Sequence, residues 1–148
     1  MITPEVEAAL ARAGPVDAVV GVATLNNAGT VEPILRAARS GATLGGRIRA
    51  LVVHADAGST DGTLARAEAA LRETDGSAEA VTLAEPPAPP GRGERTRAAA
   101  VKNVLLLARR AGARACAVLD GSLLGAEPAW VGRLLGPVLE QDVDFVAP

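Results

Sequence analysis

Two acidic segments contain the residue types with which this sequence could do chemistry. Asp56 ends the aliphatic run "ALVVHAD" and is followed by small polar residues up to Asp61, while Asp120 ends a second run, "ACAVLD", just before Ser122. A carboxylate can accept an N–H from the edge of a base, hold a ribose hydroxyl or bind a metal ion. A buried strand needs only a tight turn to end, and Gly58 would supply one. The additional polar residues therefore indicate a binding site.

Two further polar segments complete the candidate site. Thr24–Asn27 follow the run "AVVGVA", and Arg92 lies between two glycines in "GRG". A guanidinium in a glycine-rich loop can approach a diphosphate closely and donate hydrogen bonds to it. Together the four segments predict a site for a nucleoside diphosphate.

Alternating strands and helices are predicted to position these segments. Apolar residues at helical spacing predict helices over 4–13, 31–41, 64–71, 94–111 and 128–138. Aliphatic runs predict strands at "VDAVVGVATL", "IRALVVHA", "AEAVTLAE", "ARACAVLD" and "VDFVAP". This order predicts an α/β fold, a three-layer α/β/α sandwich with a mostly parallel sheet, because right-handed crossovers place helices on both faces. The polar segments then meet at the carboxyl edge of the sheet, where such folds bind ligands.

Length, composition and charge exclude several classes of function. A chain of 148 residues has the size of one domain, so we expect a single domain over 1–148. A net charge of −2 and an aromatic content of 1% argue against a nucleic-acid partner. The single cysteine allows no intrachain disulfide. No signal peptide or membrane span is apparent, so we expect a cytoplasmic protein.

The four segments resemble the motifs of glycosyltransferases with the GT-A fold. In that family a strand ending in P-x-x-N is followed by D-x-G-S-T-D-G-T, G-K-G and D-x-D, and here the segments read "ATLNN", "DAGSTDGT", "GRGE" and "DGS". The stretch "DGSLLGAEPAWVGRLLGPVLEQDVDFVAP" is similar to the corresponding part of the enzymes that make glucosyl- or mannosyl-3-phosphoglycerate. The resemblance spans nearly the whole chain.

The resemblance implies a donor, an acceptor and a cofactor. The donor would be a nucleotide sugar of the UDP-glucose or GDP-mannose type, and the acceptor a small hydroxyl compound such as 3-phosphoglycerate. A Mg²⁺ or Mn²⁺ ion would neutralise the leaving diphosphate. The implied site residues are Ala23, Thr24, Leu25 and Asn27 along the nucleoside, Asp56 at the base with Gly58 in its loop, Arg92 at the diphosphate, and Asp120 at the ribose and the metal. A homodimer is left open.

Departures from the family pattern keep alternatives open. Ser122 stands where the last aspartate of D-x-D is expected, and a neutral hydroxyl is a poor ligand for a hard cation, so weak metal affinity is predicted. The acceptor-binding half of the family has no counterpart in this chain, so binding is expected more readily than turnover. The first alternative is a non-catalytic GT-A domain with a regulatory or interaction role. The second is a nucleotidyltransferase, although "ATLNNAGT" lacks the basic loop of that class.

Structural roles are the competing interpretation for each candidate residue. The Asp56–Asp61 segment could form only a turn and a helix cap. Asp120–Ser122 could form only a turn, and Arg92 could be a solvated loop residue. His54 and Trp130 are expected to pack rather than to bind a ligand.

Overall fold

The computed structural model describes residues 3–43, 46, 48–73, 78–89, 96–141 and 143–146. Within these residues helices and strands alternate along the chain. The helices are α1 (Pro4–Ala13), α2 (Val31–Thr43), α3 (Thr63–Arg72), α4 (Arg97–Arg110) and α5 (Ala129–Glu140). The strands are β1 (Ala18–Thr24), β2 (Ala50–Asp56), β3 (Ala80–Ala84) and β4 (Ala115–Asp120).

The strands form one sheet in the order β3-β2-β1-β4, and every pair is parallel. β1 lies between β2 and β4, with Thr24 beside Asp56 and Ala23 beside Asp120. Parallel strands bring their carboxyl ends to the same edge. The predicted convergence of the segments after β1, β2 and β4 is therefore confirmed.

Helices cover both faces of the sheet. On one face α2, α3 and α5 pack on side chains such as Val20 and Val52, and on the other face α1 and α4 pack on Val19 and Val53. The core is built almost entirely from alanine, valine and leucine. The described residues thus form the predicted three-layer α/β/α sandwich.

Local signals explain where two of the helices begin. Thr3 caps α1 because its hydroxyl accepts the N–H of Val6 at 3.4 Å, with Pro4 in the first turn. The sequence predicted that α4 begins near Glu94, which was too early. Thr96 is extended (φ −113°, ψ 152°), and the helix begins at Arg97. An extended residue is what the N-cap position requires.

The strand predicted at "VDFVAP" was wrong for residues 143–146, which pair with no described strand. The N–H of Val143 donates instead to the carbonyl of Pro137 at 3.3 Å, so the chain remains attached to the end of α5. Phe145 is 80% exposed. In the part of the chain that the structure describes, no helix has both the length and the apolar character needed to cross a bilayer.

Candidate functional site

Asp56 lies buried at the carboxyl end of β2, and the chain itself satisfies its carboxylate. Oδ1 accepts hydrogen bonds from the hydroxyls of Thr24 at 2.8 Å and Ser59 at 2.5 Å. Oδ2 accepts the backbone N–H groups of Gly58 at 3.0 Å and Ser59 at 2.8 Å. Burial alone would raise the pKa of Asp56, but these hydrogen bonds outweigh burial and lower it. Asp56 is therefore a fixed anion at neutral pH.

His54 extends this buried network along the same strand. Its Nε2 lies 2.9 Å from the hydroxyl of Thr24, which donates its own proton to Asp56. Because a hydroxyl has one proton, Nε2 must carry the imidazole hydrogen and donate it to Thr24. Burial lowers the pKa of His54 to about 4, although the charge of Asp56 acts in the opposite direction. The ring is therefore neutral at pH 7.

The loop after β1 is joined to the loop after β2 by several hydrogen bonds. Asn26 donates its N–H to the hydroxyl of Ser59 at 2.8 Å and accepts the N–H of Thr60 at 3.0 Å. The N–H of Ala28 donates to Asp61 at 3.0 Å. Asn26 adopts a left-handed conformation (φ 54°), which asparagine tolerates better than most residues. The two loops therefore form one connected surface.

Gly58 allows the loop after β3 to approach the same surface. Its φ of +95° favours glycine, and a Cβ atom at this position would lie 2.7 Å from the carbonyl oxygen of Pro86 and 3.1 Å from the Cα of Pro87. The N–H of Glu85 also donates to the carbonyl of Asp56 at 2.9 Å. The described beginning of the third loop is thus packed against the second.

Gly121 brings the end of β4 against β1. Its N–H donates to the carbonyl of Ala23 at 2.8 Å, and a Cβ atom would lie 2.5 Å from Cγ2 of Thr24 and 3.1 Å from Oδ1 of Asn27. Its carbonyl accepts the hydroxyl of Thr30 at 2.5 Å. Only a residue without a side chain permits this contact. The glycine of "DGS" therefore positions Asp120 next to the β1 loop.

Leu25 and Asn27 lie partly buried in the turn after β1. The N–H of Leu25 donates to the side-chain oxygen of Asn27 at 2.9 Å. The N–H of Asn27 donates to the hydroxyl of Thr63, the first residue of α3, at 2.7 Å. Asn27 therefore holds the turn in shape and links it to the start of a helix.

Asp120 is supported in a different way from Asp56. Its Oδ1 accepts the backbone N–H of Ser122 at 2.8 Å and the hydroxyl of Ser122 at 2.6 Å, while Oδ2 forms an ion pair with Nη1 of Arg97. The side chain of Asp120 is 45% exposed and that of Arg97 is 36% exposed. Burial would raise the pKa of Asp120, but the hydrogen bonds from Ser122 and the Arg97 guanidinium lower it.

The residues at this position do not fit a divalent cation. Calcium and magnesium sites use several oxygen ligands, usually including carboxylates. Here the carboxylate of Asp120 already contacts the cationic Arg97, and the hydroxyl of Ser122 donates its proton to that carboxylate. Among the described residues no group of three or more His, Cys, Asp or Glu side chains could hold a metal ion.

A separate apolar groove of about 850 Å³ runs along β4 between α4 and α5. Trp130, Leu105 and Phe145 are among its lining residues, together with Cys116. Burial raises the pKa of the Cys116 thiol to about 11, so the thiol is protonated at neutral pH. Trp130 therefore belongs to an apolar surface outside the polar loops.

Most of the predicted site residues meet at one edge of the sheet. Arg92, with the whole G-R-G segment, lies outside the described residues. The sequence analysis did not assign Arg97, Gly121, Thr30 or Thr63 to the site. Signals for two of them were present, since Gly121 is the middle residue of "DGS" and Thr63 is the last residue of "DAGSTDGT". The residues brought together are Ala23, Thr24, Leu25, Asn27, Asp56, Gly58 and Asp120.

The arrangement of strands and helices matches a solved glycosyltransferase. Glucosyl-3-phosphoglycerate synthase from Mycobacterium tuberculosis, in complex with Mn²⁺, UDP-glucose and phosphoglyceric acid, aligns with a TM-score of 0.53 at 26% identity over 90% of this chain and 42% of that chain. This chain has the GT-A fold. The resemblance indicated by the sequence motifs is thereby confirmed.

A second crystal structure of the M. tuberculosis synthase aligns with 92% of this chain and 44% of that chain. Its sequence identity to this chain is 30% and its TM-score is 0.49. The chain thus spans less than half the length of these two solved structures. No protein-family model and no curated protein matches the sequence.

Proposed function

We propose that this chain binds a nucleotide sugar of the UDP-glucose or GDP-mannose type at the carboxyl edge of its sheet. One observation carries the proposal: the loops after β1, β2 and β4 are hydrogen-bonded into a single polar surface in a GT-A fold. The similar M. tuberculosis enzyme was solved with UDP-glucose. Ligands of open α/β sheets bind beyond the carboxyl ends of the strands, which is where this surface lies.

Asp56 is the residue that we propose for recognition of the base. Its carboxylate is 1% exposed and already accepts four hydrogen bonds from the chain. The hydroxyl of Ser59 is the donor that can most easily turn away, because its backbone N–H would stay bound to Oδ2. A base N–H would then replace that hydroxyl on Oδ1. Binding would leave the other three hydrogen bonds of the Asp56 carboxylate intact.

The activity that we propose is transfer of a hexose to a small hydroxyl acceptor such as 3-phosphoglycerate. Support comes from the phosphoglyceric acid in the M. tuberculosis complex and from the motifs of the donor loops. The described residues supply donor-binding groups, and we propose the 148 residues as one donor-binding domain. The cytoplasmic location and the homodimer stay predictions.

A non-catalytic GT-A domain is the second candidate function. The observation that favours it is the pair of Asp120 and Arg97 beside Ser122, which leaves the D-x-D position without a second carboxylate. Such a domain would bind the nucleotide sugar and use binding as a signal. Incubation of UDP-glucose and of GDP-mannose, each with 3-phosphoglycerate, separates the candidates, because only the enzyme releases UDP or GDP as product.

Calorimetric titration with UDP-glucose and GDP-mannose tests the proposed binding. We expect one donor to bind more tightly than the other. The variant Asp56→Asn, which places an N–H where a carboxylate oxygen was, should reduce that preference by about tenfold. Asp61→Asn is the matched control, since Asp61 hydrogen-bonds only to loop backbone and Thr63 among the described residues. Absence of binding by both donors, with and without Mn²⁺, would refute the proposal.

A further inference from the structure

The charge beside Asp120 is supplied by the chain itself. The resemblance to a metal-dependent family implies a divalent cation near this aspartate. In this chain, however, Oδ2 of Asp120 is bound to the guanidinium of Arg97. Oδ1 is filled by the N–H and the hydroxyl of Ser122. A metal ion entering here would lie next to a positive charge and would meet a single carboxylate with both oxygens in use.

Arg97 keeps hydrogen-bonding capacity for a ligand. A guanidinium has five N–H donors, and the described residues provide Asp120 as the partner of Nη1. Its Nε is buried and has no acceptor among the described residues, so hydrogen bonds to a ligand would come from the remaining Nη N–H groups. With 36% of its side chain exposed, Arg97 can contact a ligand without breaking the ion pair.

The position of Arg97 in the fold also favours an anion. Arg97 is the first residue of α4, and the first turn of that helix contains no acidic residue. The positive end of a helix dipole and a guanidinium both attract phosphate oxygens. Gly121 holds the neighbouring β4 loop against Ala23, so Arg97 and Asp120 stand at the same edge as the proposed nucleoside loops.

We propose that Arg97, held by Asp120, replaces the divalent cation of the family, so that this chain binds the diphosphate of a nucleotide sugar without metal. The proposal rests on the proposed function, because it concerns the same ligand. Ser122 fits it, since a hydroxyl keeps Asp120 hydrogen-bonded but adds no negative charge to attract a metal ion. An arginine can bind a diphosphate by donating parallel hydrogen bonds to two of its oxygens.

Calorimetric titration of the full chain with UDP-glucose and with GDP-mannose, each in EDTA and in excess Mn²⁺, tests the proposal. We expect the affinity of the preferred donor to be the same in both conditions within about twofold. Binding only with Mn²⁺ would overturn the replacement of the metal and leave the proposed function standing. Absence of binding in both conditions would refute the proposed function and, with it, this inference.

Variants at the two ends of α4 identify the cation. Arg97→Gln should weaken binding of the donor in EDTA by about tenfold or more, while leaving the binding of uridine or guanosine nearly unchanged, because nucleosides carry no phosphate. Arg109→Gln, at an exposed arginine near the far end of the same helix, is the control and should leave both affinities unchanged. Circular dichroism and the melting temperature establish that each variant is folded. Equal losses in the two variants would contradict a specific role for Arg97.

A double variant tests whether donor binding becomes dependent on metal when the Arg97 guanidinium is exchanged for a second carboxylate. Arg97→Gln together with Ser122→Asp removes the guanidinium and restores two carboxylates at positions 120 and 122, the ligand type that hard cations prefer. We expect its donor binding to require Mn²⁺. Persistent metal-independent binding by this variant would argue that another cation neutralises the diphosphate and would overturn the assignment to Arg97.

Discussion

Asp56 and Asp120 both end a strand and both bind a following serine, but their surroundings differ. Asp56 is 1% exposed and, among the described residues, accepts hydrogen bonds from neutral donors of Thr24 and its own turn. Asp120 is half exposed and is shared between Ser122 and the cationic Arg97. Buried hydrogen bonds to an ionised group contribute more to stability than exposed ion pairs do. The β2 end is therefore the more firmly held of the two, whereas the β4 end is more exposed to solvent and contributes less to stability.

Removal of the two carboxylates should show this difference most strongly. Asp56→Ala should lower the free energy of unfolding by about 4 kcal/mol, since four hydrogen bonds at about 1 kcal/mol each are lost and their donors stay buried. Asp120→Ala should lower it by less than about 1 kcal/mol, because the ion pair is exposed to solvent. Urea denaturation at pH 7 measures both values. Similar losses in the two variants would show that the β4 end is as much a part of the core as the β2 end.

Protonation should affect the two regions at different pH values. The pKa of His54 falls from 6.5 in the unfolded chain to about 4 in the folded protein, chiefly because of burial. The unfolded state therefore binds a proton first, and stability should decrease as pH falls from about 6.5 to about 4, by about 3 kcal/mol in total. Asp56 and Asp120 have lowered pKa values, so their contribution is present above 3.8 and is lost as pH falls further.

Urea denaturation between pH 7 and pH 4 measures the contribution of His54. His54→Leu places an apolar side chain of similar size that does not titrate at this buried position, so its stability should vary little over that range. The variant Asp120→Ala should retain the full pH dependence of the wild type, because Asp120 does not contact His54. An unchanged slope in His54→Leu would assign the pH dependence to another group.

The fold was largely predictable because its signals are local. Aliphatic runs of strand length alternate with apolar residues at helical spacing, and Thr3 with Pro4 forms a cap and a first turn that depend only on neighbours. The prediction of a strand at 143–146 was wrong. The spacing of Val143 and Phe145 predicts an extended segment, but it does not show that another strand is available to pair with it. Sheet pairing is a long-range property that the residue pattern does not contain.

The site was predictable in its position but not in its contacts. Asp56 and Asp120 could be placed because each follows a strand of a parallel sheet. The ion pair of Arg97 with Asp120 joins residues 23 positions apart and depends on where α4 begins, which the sequence analysis placed too early. The hydrogen bonds that Asp56 accepts from its own turn and from Thr24 depend on loop conformation and on strand pairing, which residue types alone do not specify.

The serines that follow the two carboxylates provide the finest test of the difference between the regions. The hydroxyl of Ser59 donates to Asp56 and also accepts the N–H of Asn26, so Ser59→Ala should lower the free energy of unfolding by about 1 to 2 kcal/mol. The hydroxyl of Ser122 makes one described hydrogen bond, to the exposed Asp120, so Ser122→Ala should change it by less than about 0.5 kcal/mol. Urea denaturation of the two variants side by side gives the comparison. A larger loss for Ser122→Ala would mean that the loop after β4, and not the loop after β2, is the more firmly held of the two.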